Sequence, residues 1–311
     1  MDPRRERLEK ALTASGAPFI EEVDRIVQEM VEYKNPLRQN LPRKPGSGDG
    51  YHLYRRTAST SGCAFVVDTQ DFGSYEATGA YGKVSFPYRI LGGQAKVTTL
   101  AQAQGRTFAD LFEQELESKT REFKNCEEKY IIQGDSTVTG QWDGLAKLIP
   151  AAQTLWAHDT NYVGNLTLNK MDQSIDQCAF EPDLIITSKA GRRALNSLLV
   201  ANQRFVDRTE IQGGFRVMTY NDIPVLASTN VPNTLRYDES GKRIISWTGG
   251  TSTAFFFVDT EYFFMGILKE LGVVPLAITS SQFEAFDMYA FETTVMLNYL
   301  ACSMLLGVVP K

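Results

Sequence analysis

The chain is short of the residues that most enzymes depend on. It has two histidines, His52 and His158, and four cysteines, Cys63, Cys126, Cys178 and Cys302. No two cysteines form a Cys-x-x-Cys pair and none is flanked by a histidine, which removes the usual zinc spacings. A serine or cysteine triad would have to use one of the two histidines, and no nucleophile is tied to either by spacing. His52 lies in a segment broken by glycine and proline, and His158 in a polar loop after Trp156, so both read as structural or solvent-facing. Gly250-Thr251-Ser252-Thr253-Ala254 imitates a nucleophile elbow, but the apolar run after Ser252 reads as a strand where an elbow needs a helix. Gly46, Gly48 and Gly50 imitate a phosphate loop without the strand before it or the helix after it, so they read as a linker. No catalytic, cofactor-binding or metal-binding residue is assigned. A hydrolase built on Ser252 or a cysteine with His158 is a third-ranked reading.

Long hydrophobic runs are also scarce. Residues Met1 to Lys10 are charged and lack the apolar stretch of a secretion signal. The one uncharged run of membrane length, Thr293 to Pro310, contains Thr293, Thr294, Asn298, Ser303, Gly307 and Pro310 and reads as buried core rather than as a span. No membrane partner is expected. Neither sign of charge dominates, since 32 lysines and arginines face 37 acids for a net of −5. That balance excludes wholesale condensation of nucleic acid and leaves only non-specific phosphate contact open. Cys126 and Cys178 fall at apolar positions of helical patterns and read as small buried hydrophobes, consistent with synthesis in a reducing cytoplasm.

What the chain does have is an order of unusual segments. Phe19, Val23, Ile26, Val27 and Met30 recur at helical spacing and predict an amphipathic helix over 18–33. Pro36, Pro42, Pro45, Gly46, Gly48 and Gly50 then predict an extended arm over 34–54 without regular structure. Between Lys34 and Arg56 six basic residues, Lys34, Arg38, Arg43, Lys44, Arg55 and Arg56, face one acid, Asp49, a local net of +5. A two-stranded ribbon is expected next, with Ala64 to Val67 on one side and Val84 to Val97 on the other. Its tip, Asp68 to Gly82, carries Asp68, Asp71 and Glu76 and no basic residue before Lys83. A ribbon this long has two faces and no core, so it is marginal alone in water.

Thr107 then opens a helix without proline or glycine before Gly134, about 37 Å long over 107–131. Its apolar face runs through Phe108, Leu111, Phe112, Leu116, Phe123, Cys126 and Tyr130. Glu127 and Glu128 are adjacent, point to different azimuths and read as solvated. Beyond Trp142 the pattern becomes α/β. Thr167 caps one helix, Leu184 to Thr187 is a short buried strand, and Ser188 caps a helix carrying Leu195, Leu198 and Leu199. Phe215 to Tyr220 and Ile223 to Ala227 flank an Asn221-Asp222 turn. Ala254 to Val258 and Phe283 to Met296 are further strands, the second long and aromatic-rich.

In its order of arm, hairpin, long helix, α/β block and returning strand, the chain resembles the tailed-bacteriophage major capsid proteins with the Hong Kong ninety-seven fold. The local matches are Gly105 to Gly134 leading into Trp142-Asp143-Gly144-Leu145, then Pro182 to Leu199, Ile223-Pro224-Val225 to Asn230-Val231-Pro232, and Phe256 to Tyr262 with Met265-Gly266. The resemblance implies an α+β structural protein and not an enzyme. It divides the chain into an N-terminal helix and arm (1–54), an extended loop (55–104), a peripheral domain (105–140 and 261–295) and an axial domain (141–260 and 296–311). It also implies self-assembly through hexamers and pentamers into an icosahedral shell around double-stranded DNA, in a virion built in the host cytoplasm. A scaffolding protein, a portal and a decoration protein are the implied partners. Intersubunit contacts are then expected at Arg38, Arg43, Lys44, Arg55, Arg56, Asp68, Asp71 and Glu76, and Lys83 is the residue placed to cross-link to a neighbour. An encapsulin-like shell enclosing enzyme cargo is the alternative.

Overall fold

The computed structural model describes residues 35–59, 65, 68, 79–98, 100, 111–201, 208–211, 215–238, 243–276 and 283–310. The helix expected over 18–33, the cap at Thr107, and Cys63, Asp71 and Glu76 lie outside them. Chain order begins with a short helix α1 (Pro36–Asn40), strands β1 (Arg43–Pro45), β2 (Gly50–Ser59), β3 (Gly79–Pro87) and β4 (Arg89–Thr98), and the long helix α2 (Leu111–Gln133). There follow α3 (Leu145–Leu148), β5 (Thr154–Trp156), α4 (Leu168–Asp176), β6 (Leu184–Thr187) and α5 (Lys189–Ala201). Strands β7 (Arg208–Ile211), β8 (Phe215–Tyr220), β9 (Ile223–Ala227), β10 (Arg236–Asp238), β11 (Arg243–Ser246) and β12 (Thr253–Val258) lead to β13 (Phe263–Pro275), β14 (Phe283–Met296) and β15 (Ser303–Val308).

Seven strands form one sheet in the order β5-β15-β12-β6-β9-β8-β7. Its centre is apolar on both faces because strand side chains alternate between two separate cores. Phe255 and Phe257 of β12, Ile185 of β6 and Leu305 of β15 point to the side covered by α4 and α5. Ala254, Phe256, Val258, Leu184, Ile186, Met304 and Leu306 point to the other side, where Ile131, Ile132 and Trp142 meet them. That double burial is why the run from Ala254 to Val258 shows no polar alternation. Local signals set the surrounding elements. The Thr167 hydroxyl accepts from the Lys170 N–H at the start of α4, the Gly191 N–H donates to Ser188 Oγ at the start of α5, and Asn221 and Asp222 take φ of 48° and 63° in the β8–β9 hairpin.

The second sheet has the order β1-β13-β14-β4, and α2 lies across its β4–β14 side through Phe123, Ala95, Phe286 and Met288. Helix α2 stops where Gly134 and Gly144 approach each other, with the Gly144 N–H donating to the Gly134 carbonyl at 2.8 Å. The uncharged run Thr293 to Pro310 is the end of β14, a one-turn 3-10 helix and β15, all within the folded body. No helix among the described residues is long and apolar enough to cross a membrane.

Two sequence expectations are corrected here. The ribbon pairs Gly50–Ser59 with Gly79–Pro87, so its first strand precedes the expected one; of the stretch Ala64 to Val67, Phe65 lies in no strand and the other three residues are outside the described ones. The expected second strand, Val84 to Val97, is divided at Tyr88: β3 belongs to the ribbon and β4 pairs with β14. The arm is the second correction. Its prolines and glycines delimit short elements rather than forbidding them, since Pro36 opens α1 and β1 pairs in parallel with β13 over Met265–Ile267.

Candidate assembly elements: strap, spine and ribbon

The strap, residues 35–49, is held by its own chain from end to end. Leu37 and Leu41 are fully buried in the core shared with Ile131, Trp142 and Met265. Each such side chain contributes about 1.5–3 kcal/mol relative to leaving it in water. The Met265 N–H donates to the Pro42 carbonyl at 2.9 Å and the Gly46 N–H to the Ile267 carbonyl at 2.8 Å, so backbone bonds continue past both ends of β1. Lys44 Nζ stands 3.9 Å from the centre of the Phe264 ring. Gly46 leaves room for the Tyr88 hydroxyl, which would have to shift if a Cβ stood there.

Two strap arginines meet the spine helix α2 at one carboxylate. Arg38 Nε donates to Glu127 Oε2 at 2.5 Å and Arg43 Nη2 donates to Glu127 Oε1. Beside them the Arg38 backbone N–H donates to Glu128 Oε2 at 3.0 Å, and the Ser228 hydroxyl donates to Glu128 Oε1. Glu127 and Glu128 are therefore not solvated, as their spacing suggested. They are 1% and 0% exposed. Glu292 of β14, also 1% exposed, completes the group, and among the described residues its Oε1 has no hydrogen-bond partner. Burial raises the Glu128 carboxyl to about 7. Burial, and then the neighbouring charge of Glu127, raises Glu292 to about 8 against the opposing pull of Arg43 and Arg38.

The ribbon is anchored at its base, and its outer face is exposed among the described residues. Tyr51, Leu53, Val84 and Phe86 face inward onto Phe264 and Val295, with the Tyr51 and Phe264 rings edge to face at 5.5 Å. Arg55 Nε donates to the Leu297 carbonyl at 2.8 Å and Nη2 to that of Met296. The opposite face alternates with it and carries exposed Tyr54, Arg56, Tyr81 and Lys83, with Tyr54 paired to Lys83 and Arg56 to Tyr81 across the two strands.

The residues expected at subunit contacts thus fall into separate places. Arg38, Arg43, Lys44 and Arg55 are engaged within the chain, Arg56 and Lys83 share the outer ribbon face, and Asp68 is exposed. Sequence reasoning missed Glu127, Glu128, Phe264 and Glu292. Only Glu292 had a local signal, as an acid directly after the apolar run Met288 to Phe291. Cys126 is half-buried where Cys178 is buried as expected. His158 Nδ1 accepts from the Thr160 and Asn161 N–H groups, and the buried Ser252 hydroxyl donates to the Leu235 carbonyl, so both serve the backbone. Among the described residues no group of three or more His, Cys, Asp or Glu is arranged to hold a metal ion.

The fold is similar to those of solved shell-forming proteins. The structure of the SrpI encapsulin complex from Synechococcus elongatus PCC 7942 matches with a TM-score of 0.68 at 14% identity, covering 100% of this chain and 96% of that one. The capsid of a native GTA particle matches at 0.64 and 13% identity over 96% of this chain and 99% of that one. The capsid of Myoviridae phage XM1 matches at 0.63 and 12% identity over 93% and 97%. No curated protein sequence matches the chain. The family model of the SU10 major capsid protein matches residues 89–308, from the start of β4 to the end of β15. This chain therefore belongs to the SU10 major capsid protein family and is a structural, self-associating protein of a virion shell with the Hong Kong ninety-seven fold.

Proposed function

We propose that copies of this chain gather into hexamers and pentamers and close an icosahedral shell around double-stranded DNA. The observation that carries this reading is the family match over residues 89–308, together with a ribbon whose outer face presents exposed Tyr54, Tyr81 and Lys83 among the described residues. A two-stranded ribbon with an aromatic and basic face gains stability when a neighbouring copy covers it. The sheet β1-β13-β14-β4 with α2 is the peripheral domain in this reading, and the seven-stranded sheet is the axial domain around the local symmetry axes. Assembly takes place in the host cytoplasm with a separate scaffolding protein, a portal and a decoration protein, and contact with the packaged DNA is non-specific.

Electron microscopy of the purified chain, with absorbance of the particles at nucleic-acid and protein wavelengths, tests the proposal. Closed shells carrying nucleic acid are expected from infected cells, and a persistent monomer under all conditions would sink it. The match to the SrpI encapsulin over the full chain favours one second reading, a nanocompartment enclosing enzyme cargo. Small shells containing protein and no nucleic acid would select it. Lys83, outward-facing and exposed, is proposed as a cross-linking residue, and boiled shells then run as a ladder rather than as a monomer band on a denaturing gel.

A further inference from the structure

Among the described residues, the contact between strap and spine sets three buried carboxylates against two strap guanidiniums, both spent on one of them. Glu127 and Glu128 come from α2 and Glu292 from β14, and all three are at most 1% exposed. The charged groups facing them from the strap are Arg38 of α1 and Arg43 of β1, and both guanidiniums end on Glu127. From β4, Arg89 is the strand-register partner of Glu292, yet among the described residues its Nε is buried without a hydrogen-bond partner, as is Glu292 Oε1. The segment after β9 contributes only uncharged groups, the Ser228 hydroxyl on Glu128 and Asn230, whose N–H donates to Ser228 Oγ. A third buried carboxylate with no donor to receive it cannot be ionised there at low cost.

We propose that this cluster is a proton-dependent latch, which binds the strap to the spine with Glu292 protonated and loosens it when that proton is lost. The geometry requires a change of protonation on release. With the strap in place, Arg38 and Arg43 close over the carboxylates, and Glu292 keeps its proton up to about 8 because of burial and the charge of Glu127. With the strap lifted, water reaches the carboxyl and its affinity for the proton falls toward the ordinary 4.5. A group whose pKa is raised in the docked state weakens docking as pH climbs from its free value to its docked value. For this carboxyl the window runs from 4.5 to about 8, with Glu128 adding to it up to about 7. Docking is therefore tightest at mildly acid pH and weakest above pH 8. The inference stands on contacts within one chain and does not depend on what the shell encloses.

The test is amide hydrogen exchange of the full-length protein from pH 6 to pH 9, corrected for intrinsic exchange rates and read in peptides covering Leu37 to Gly46. The expected result is at least a tenfold loss of protection across that range, while peptides of β12 lose none. Glu292→Gln, which is neutral at every pH, should abolish most of the dependence and keep the strap protected at pH 9. Equal strap protection at pH 6 and pH 9 in the unaltered protein would overturn the proposal. So would a folded E292Q protein that retains the full pH dependence. Should E292Q fail to fold, the unaltered protein's pH series still decides, because the β12 peptides separate local release from global loss of structure.

Discussion

Glu127 shows how far one residue can organise its surroundings. It terminates two guanidiniums that lie 89 and 84 positions away in sequence, and it is 1% exposed. Removing one partner of a buried ion pair leaves the others uncompensated, which costs roughly 3–5 kcal/mol when burial is complete. Arg38 and Arg43 keep 20% and 28% of their side-chain surface exposed. Glu127→Ala is therefore expected to lower stability by a smaller amount, about 2–3 kcal/mol, as measured by urea unfolding of the full chain. Asp135 is the opposite case. Its hydrogen bond from Lys147 holds the carboxyl down at about 2, so its contribution is complete above 3.8 and disappears as pH falls through 2. Lys147→Ala should let Asp135 rise toward 3.8 and make acid unfolding begin at higher pH. A carboxyl titration followed by NMR that showed no upward movement would contradict this.

At the scale of elements, the end of α2 and the base of the ribbon are the two joints on which the peripheral sheet depends. A Cβ on Gly134 would come within 2.5 Å of the Trp142 and Tyr130 carbonyl oxygens, both backbone atoms that cannot move aside cheaply. Gly134→Ala should cost about 1–3 kcal/mol in denaturant unfolding, the range of an overpacked interior site. Arg55 ties β2 to the carbonyls of Met296, the last residue of β14, and of Leu297 just after it. Charge-assisted hydrogen bonds contribute about 1.5–3 kcal/mol when buried, and Arg55 is partly exposed, so Arg55→Met should cost about 1–2 kcal/mol. The loss should be local and visible as faster amide exchange in Tyr51 to Tyr54, with β12 unchanged. These joints also show where sequence patterns stop. Thr167, Ser188 and the Asn221-Asp222 pair act on their immediate neighbours, so α4, α5 and the β8–β9 hairpin were legible residue by residue. Helix α1 is five residues long and owes its existence to Leu37 in a distant core, which no local pattern encodes.

At the scale of the whole molecule, the structure divides the basic residues of the N-terminal region into two groups with separate work. Arg38, Arg43, Lys44 and Arg55 hold strap and ribbon onto the body, while Arg56 and Lys83 lie on the exposed ribbon face. Reversing the first group should damage the fold itself. Replacing Tyr54 and Lys83 together by glutamate should leave the melting of the unassembled chain unchanged, yet reduce shell yield severalfold at low salt and less at high salt, because screening shortens the reach of exposed charge. Particle counts at two ionic strengths check it, and equal yields at both would remove these residues from the assembly contact.

The amino-acid sequence by itself determined the order of the parts, the family layout, and the elements whose signals are local: the capped helices, the doubly buried strand Thr253–Val258 and the long strand Phe283–Met296. It could not determine the partners of side chains across long separations. The strap's docking, the division of Val84 to Val97 between ribbon and sheet, and the burial of Glu127, Glu128 and Glu292 were decided only by tertiary structure. The physical reason is that burial of a charge or of a short segment depends on what covers it. The covering groups here come from elements that the chain brings together only on folding.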